Sequence, residues 1–373
     1  MGERSRLRFP AMLLGMLSLA LGLWAGLARL GWGVYVPTGS FLEAHGALMV
    51  NGVLATLIGL ERAVALERRS LFGAPLLTGA GALAWALGFP AVFASGLLVA
   101  GSTLLLVMFL IILSRQRALH TLTQSVGAVC LLVGNALGLA GFDIPYLLPW
   151  WGSFLVLLIA AERLELTRVF RVSASRRALF AAFLALDLLA CGVALRWFVL
   201  GGMLLGVAWV LLAAWLVVHD VAWRNLGRRG LPRFTAVGLL TGYVWLGLGG
   251  ALLLLYGGVA SQDLLYDAQL HAVFLGFVLS MVFAHAPIIL PAVLGKPVTF
   301  RLALYVPLAV LHASLALRVG ADLAGSYLVR EWAGLFNVLA IVLFGLTLLA
   351  TVALDSFAPM RRALSVDSSV FYP

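Results

Sequence analysis

The chain has 373 residues, of which 63% are hydrophobic and 11% charged, and its formal charge is +10. A soluble domain carries roughly 45–50% apolar and about 25% charged residues, so a soluble fold is excluded and an all-α, polytopic membrane protein is expected. The basic residues sit in short clusters between apolar runs, without interleaved aromatics, so they act as topology signals and not as a nucleic-acid surface. The two cysteines, Cys130 and Cys191, lie inside apolar runs and form neither a disulfide framework nor a CxxC site.

A spanning helix needs about 20 apolar residues, and twelve runs meet or approach that length. In chain order they are Phe9–Leu30, Leu42–Leu60, Leu71–Phe89, Ala91–Leu113, Ala118–Ala140 and Tyr146–Ala161, then Ala178–Leu195, Trp197–Val218, Phe234–Tyr256, Ala268–Leu294, Val298–Leu317 and Trp332–Leu354. The first is too long for a signal-peptide core and is followed by no A-x-A-like site, so it is expected to stay as a span. With the N-terminus inside, 21 basic residues fall on the inner side and four on the outer: Arg29, Arg196, Arg318 and Arg330. That bias predicts an N-in, C-in chain. The connections are short, so residues 1–373 are expected to form a single integral domain with no extramembrane domain.

A faint internal echo joins the second and sixth runs. Leu57-Ile58-Gly59-Leu60-Glu61-Arg62 and Leu158-Ile159-Ala160-Ala161-Glu162-Arg163 both stand where a helix reaches the inner surface. Three units of four helices would produce such a period.

All six histidines lie in or at the ends of spans, where ionisable side chains are costly and functional by default. His45 in the second run, His271 in the tenth and His312 in the eleventh fall in the outer half; His120, His219 and His285 fall near the inner face. Helices two and ten run in the same direction and carry His45 and His271 at matched depth. Such a pair can ligate one haem iron from opposite faces of the porphyrin as a low-spin, electron-transferring centre. Asp267, one turn before His271, is a candidate acceptor for the other ring N–H. His312 competes with this pair or takes a separate metal such as copper. His271 and His285 are fourteen residues apart, which leaves them about 40° apart around the helix with ~21 Å of rise. An inner haem on His285 would borrow His120 or His219. Otherwise His285 fills a kink made by Pro287 and Pro291.

The sequence His45-Gly46-Ala47-Leu48-Met49 at the outer end of the second of twelve helices resembles the catalytic subunit I of haem–copper oxidases. The resemblance implies that His45 and His271 hold a low-spin haem b, and that Arg318 and Arg330, flanking the outer loop after helix eleven, meet its propionates. It departs from the oxidases at the dioxygen-reducing centre. Helices six and seven contain no histidine, and Gln269 stands two residues before His271 where a second haem ligand would be. The segments His45–Leu66 and Leu270–Leu290 are most similar to the NnrS-like group of membrane proteins, associated with haem, copper and nitric-oxide response in denitrifying bacteria. The resemblance implies a haem b protein of nitrogen-oxide or respiratory metabolism in the cytoplasmic membrane, partnered by a redox protein or by a small gas such as nitric oxide. The competing expectation is a twelve-helix secondary transporter without cofactor, for which Asp187, Gln124 and Asn135 would be the intramembrane polar groups. A third is a structural subunit without cofactors.

Overall fold

The computed structural model describes residues 3–167, 173–258, 263–294 and 298–367; Arg168, Arg171 and Lys296 of the expected inner clusters lie outside the described residues. Without water in a bilayer core, each backbone N–H and C=O must be satisfied within its own segment. The apolar runs accordingly form helices, and the described residues contain no strand.

The principal helices are α1 (Glu3–Leu30), α2 (Ala44–Leu66), α3 (Gly73–Ala86), α4 (Ala91–Arg115), α5 (Leu119–Leu139) and α6 (Ile144–Thr167). They continue with α7 (Ala174–Ala194), α8 (Phe198–His219), α9 (Leu231–Tyr256), α10 (Leu264–Pro291), α11 (Tyr305–Leu323) and α12 (Tyr327–Asp367). Each corresponds to one of the twelve apolar runs. Among the described residues, eleven are long and apolar enough to cross a bilayer. The other, α3, has 14 residues and is about 21 Å long. A 3₁₀ turn at Arg69–Phe72 precedes it and adds about 8 Å, bringing the pair close to the ~30 Å hydrocarbon thickness. At its other end Gly88 takes φ +78°, a left-handed value that a β-carbon would strain, and turns the chain into α4.

Neighbours in sequence are neighbours in space. Each helix packs on the next, and α12 returns to α1, while α6 reaches across to α10. Small residues set the closest approaches. A β-carbon on Gly250 of α9 would sit 2.9 Å from the Gly206 carbonyl oxygen of α8, a separation that lets the backbones touch.

The helices that carry His45 and His271 share one irregularity. In α2 the residues Leu48–Ala55 are π-helical, and in α10 so are Ala272–Leu279. Such i→i+5 stretches are rare and concentrate at functional sites. Each begins within one turn after its histidine. At the opposite end of the bundle, Arg62 of the first repeated motif pairs with Glu162 of the second at 2.9 Å, tying α2 to α6.

Candidate functional site

The imidazoles of His45 and His271 meet in a cleft bounded by α1, α2, α6, α10, α11 and α12, with ring centres 6.4 Å apart and ring planes 33° apart. The cleft encloses about 1310 Å³ of empty space, its open mouth included. Its walls along α1 and α2 are apolar, formed by residues such as Leu19, Leu23, Met49 and Val53.

Each ring is fixed by its Nδ1. His45 Nδ1 lies 2.8 Å from the Gly22 carbonyl oxygen of α1, and His271 Nδ1 lies 2.9 Å from the Asp267 carbonyl oxygen one turn back. A carbonyl accepts only, so both rings carry a proton on Nδ1, and in the neutral tautomer this fixes, Nε2 is the nitrogen that holds the lone pair. Among the described residues neither Nε2 has a hydrogen-bond partner. Two imidazoles bound coaxially through Nε2 to one metal, with metal–nitrogen distances of about 2.0–2.1 Å, place their ring centres about 6.3–6.5 Å apart. The observed 6.4 Å between ring centres falls within that span, and the backbone-held Nδ1–H is the outer-shell arrangement that metal-bound histidines use.

One edge of the cleft is charged. Arg318 donates from Nε to Asp267 Oδ2 at 2.7 Å and from its η2 nitrogen to Asp267 Oδ1 at 2.8 Å. Its η1 nitrogen donates to Asn337 Oδ1 at 3.3 Å, and Asn337 in turn donates to Ser314 at 2.7 Å. Arg330 donates to Asp267 Oδ1 at 3.2 Å, and its Nε lies 3.1 Å from Asp322 Oδ1. Arg318, Asp267 and Asp322 are buried. A guanidinium has five N–H donors, so Arg318 and Arg330 keep donors for further carboxylate oxygens. Arg29 and Glu43 complete the charged lining.

His45, His271, Arg318 and Arg330, expected to act together, are brought together here. Asp267 is also in place, although its backbone carbonyl takes the ring hydrogen bond. Its carboxylate, 3.3 Å from His271 Nδ1, is occupied by the arginines. His312 stands outside the cleft lining with both ring nitrogens engaged. Trp245 donates to its Nδ1 at 3.0 Å, and its Nε2 lies 2.9 Å from the Thr241 hydroxyl. His285 and His120 are also outside it. His285 Nδ1 bonds the Met281 carbonyl at 2.8 Å, and His120 Nε2 lies 3.6 Å from Glu165. Among the described residues no three His, Cys, Asp or Glu side chains gather as an all-protein metal cluster.

The sequence reading missed Gly22, Asn337 and Asp322. Asp322 carried a signal, lying four residues after Arg318 on one helix face; so did Asn337, a lone amide in an apolar run. Gly22 carried none, because its role belongs to its backbone oxygen.

Fold and cleft together define a polytopic helical membrane protein in which two histidines, His45 and His271, face each other across a cleft. The chain belongs to the family described as Domain of unknown function (DUF8744), whose model matches residues 8–353. No curated protein matches the chain.

Proposed function

We propose that this chain is a haem b-binding protein of the cytoplasmic membrane, concerned with electron transfer or nitric-oxide response in nitrogen-oxide and respiratory metabolism. The observation that carries the reading is the pair of imidazoles 6.4 Å apart, each held by a backbone carbonyl at Nδ1 and facing a large cleft. A haem with two axial imidazoles supplies one-electron transfer at low spin. His45 and His271 would hold it, and Arg318 and Arg330 would meet its carboxylates by charge-assisted hydrogen bonds. The apolar walls from α1 and α2 would exclude water from the ring. The nitrogen-oxide setting rests on the resemblance of His45–Leu66 and Leu270–Leu290 to NnrS-like proteins. Dioxygen reduction is not proposed, since α6 and α7 carry no histidine and Gln269 replaces a second helix-ten ligand.

Visible spectra of the purified protein, oxidised and dithionite-reduced, test this reading. Sharp low-spin bands are expected in the wild type; His45→Ala and His271→Ala should each abolish them or convert them to high spin, because losing one axial nitrogen opens a coordination position. A colourless wild type overturns the proposal. It would favour the transporter reading, for which the structure offers Asp187, a buried mid-bundle carboxylate. Its Oδ1 accepts from Trp209 at 2.8 Å.

A further inference from the structure

A second polar cluster stands at the opposite end of the bundle from the histidine cleft. There α2 is tied to α6 by the Arg62–Glu162 pair, and the same end of α2 packs on α10. Helix α9 also approaches α10 closely. The Thr235 hydroxyl donates to the Ala284 carbonyl at 3.1 Å, and a β-carbon on Gly238 would lie 3.0 Å from that of Ala284. His285, the next residue of α10, and Arg163, the residue after Glu162, therefore belong to one junction. The charges of Arg163 and Asp220 both reach His285 and Tyr243.

Arg163 is 5% exposed, and its Nε is buried without a hydrogen-bond partner. The carboxylates around it are spent elsewhere. Glu162 takes Arg62 at 2.9 Å, and Glu165 lies 3.6 Å from His120 Nε2. Asp220 accepts from the Ala222 N–H at 2.6 Å and from the Tyr243 hydroxyl at 2.7 Å. Among the described residues Arg163 has no ion-pair partner. A buried charge is costly unless it is paired, so this one calls for an anion that the chain does not supply. His285 adds a second open position: its Nδ1 donates to the Met281 carbonyl at 2.8 Å, and its Nε2 is buried without a partner. A third buried N–H at the junction, Arg62 Nε, is also unpartnered.

The chemistry of these groups selects the ligand. A guanidinium presents parallel N–H donors that match two oxygens of one planar anion. Nδ1 of His285 is already a donor, so the ring meets an anion only when Nε2 carries a proton as well. Binding then brings one proton from solution onto the Nε2 lone pair. The other titratable and charged side chains here are Glu61 and Arg62 of α2, Glu162 of α6, Tyr243 of α9 and Asp220 beyond α8. Close burial of both orphan atoms restricts the ligand to a few heavy atoms.

We propose that Arg163 and His285 form a binding site for a small monovalent oxyanion of carboxylate or nitrate type, taken up together with a proton. Arg163 holds two of its oxygens and His285 Nε2–H meets the anion from α10. The site stands apart from the haem reading, and its test does not use the visible spectrum.

Full-length protein in phosphatidylcholine nanodiscs, heated with increasing sodium formate or sodium nitrate at constant ionic strength, tests the assignment. A saturable rise in Tm is expected, with none from sodium chloride. Calorimetric titration in two buffers of different ionisation enthalpy should show about one proton taken up per anion. Arg163→Lys keeps the charge but loses the fork, and should weaken binding about ten-fold. Arg163→Gln should abolish the response and leave the anion-free protein at least as stable, because it removes an unpaired buried charge. His285→Gln, whose amide offers a fixed N–H, should still bind but without proton uptake. An absent or non-saturable response in the wild type overturns the proposal, as does an equal response in Arg163→Gln or an equal response to chloride. A response that vanishes when the discs contain phosphatidylglycerol also overturns it, since a lipid phosphate then holds the site.

Discussion

Replacing Asp267 by Asn is the sharpest perturbation of the charged edge. The carboxylate is 7% exposed, and it is the acceptor for both Nε and the η2 nitrogen of Arg318, itself 6% exposed, and for Arg330. Asn keeps the shape and one oxygen but removes the charge and one of the two acceptors. Arg318 then loses its direct counter-ion, keeping its bond to the Asn337 amide, while Asp322 remains the carboxylate beside Arg330. Breaking a buried ion pair by removing one partner costs about 3–5 kcal/mol, because the remaining charge is uncompensated. For a chain of this size that corresponds to a fall in Tm of roughly 4–6 °C. The assay is the fraction of detergent-solubilised protein still monodisperse on size-exclusion chromatography after graded heating. If the orphaned charge is the cause, Asp267→Asn/Arg318→Gln should lose much less than the sum of the two single variants. A shift below about 2 °C in Asp267→Asn, or strict additivity in the double variant, would refute the reasoning.

Replacing Arg318 and Arg330 together by Gln should lower haem retention or shift its midpoint potential in a redox titration; unchanged content and potential would remove both from the site. His312→Ala should leave the low-spin spectrum intact, since both its ring nitrogens are spent on Thr241 and Trp245. Loss of haem in that variant with retention in His45→Ala would show that the ligand pair is wrong. Reporter fusions after Gly31 and after Arg176 should read outside and inside respectively, and identical readouts would overturn the N-in, C-in topology.

The helices were legible in the sequence because a run of apolar residues in lipid has few alternatives to a helix. All twelve runs appear as helices, with α3 shortest because Gly88 turns the chain before Phe89 and Pro90. The pairing of His45 with His271 was legible from depth and direction, which the spacing of apolar residues fixes. Side-chain arithmetic could not reach contacts made by the backbone: the Gly22 carbonyl that holds His45, or the Asp267 carbonyl that holds His271. The carboxylate of Asp267 went to the arginines because a guanidinium offers it two parallel donors at once, whereas one turn of helix already places a carbonyl beside the histidine ring. The repeated Glu-Arg motif was visible as an echo. That its two copies grip each other through Arg62 and Glu162 depends on which helices meet, and periodicity says nothing of that. The π-helical stretches were invisible, since nothing in Leu48–Ala55 or Ala272–Leu279 distinguishes them by composition from their α-helical surroundings.

Those two stretches act as phase shifters. An α-helix advances about 100° per residue, so a turn that absorbs an additional residue rotates everything beyond it relative to everything before. In α2 the stretch at Leu48–Ala55 lies between His45 and Arg62, and it sets the angle at which one end of the helix faces His271 while the other faces Glu162. In α10 the stretch at Ala272–Leu279 does the same between His271 and His285, so the fourteen-residue spacing that would align those two side chains on a regular helix no longer does so. Each helix can thus be tuned at its two ends separately: a single insertion or deletion within the wide turn re-aims one end and leaves the other where it was.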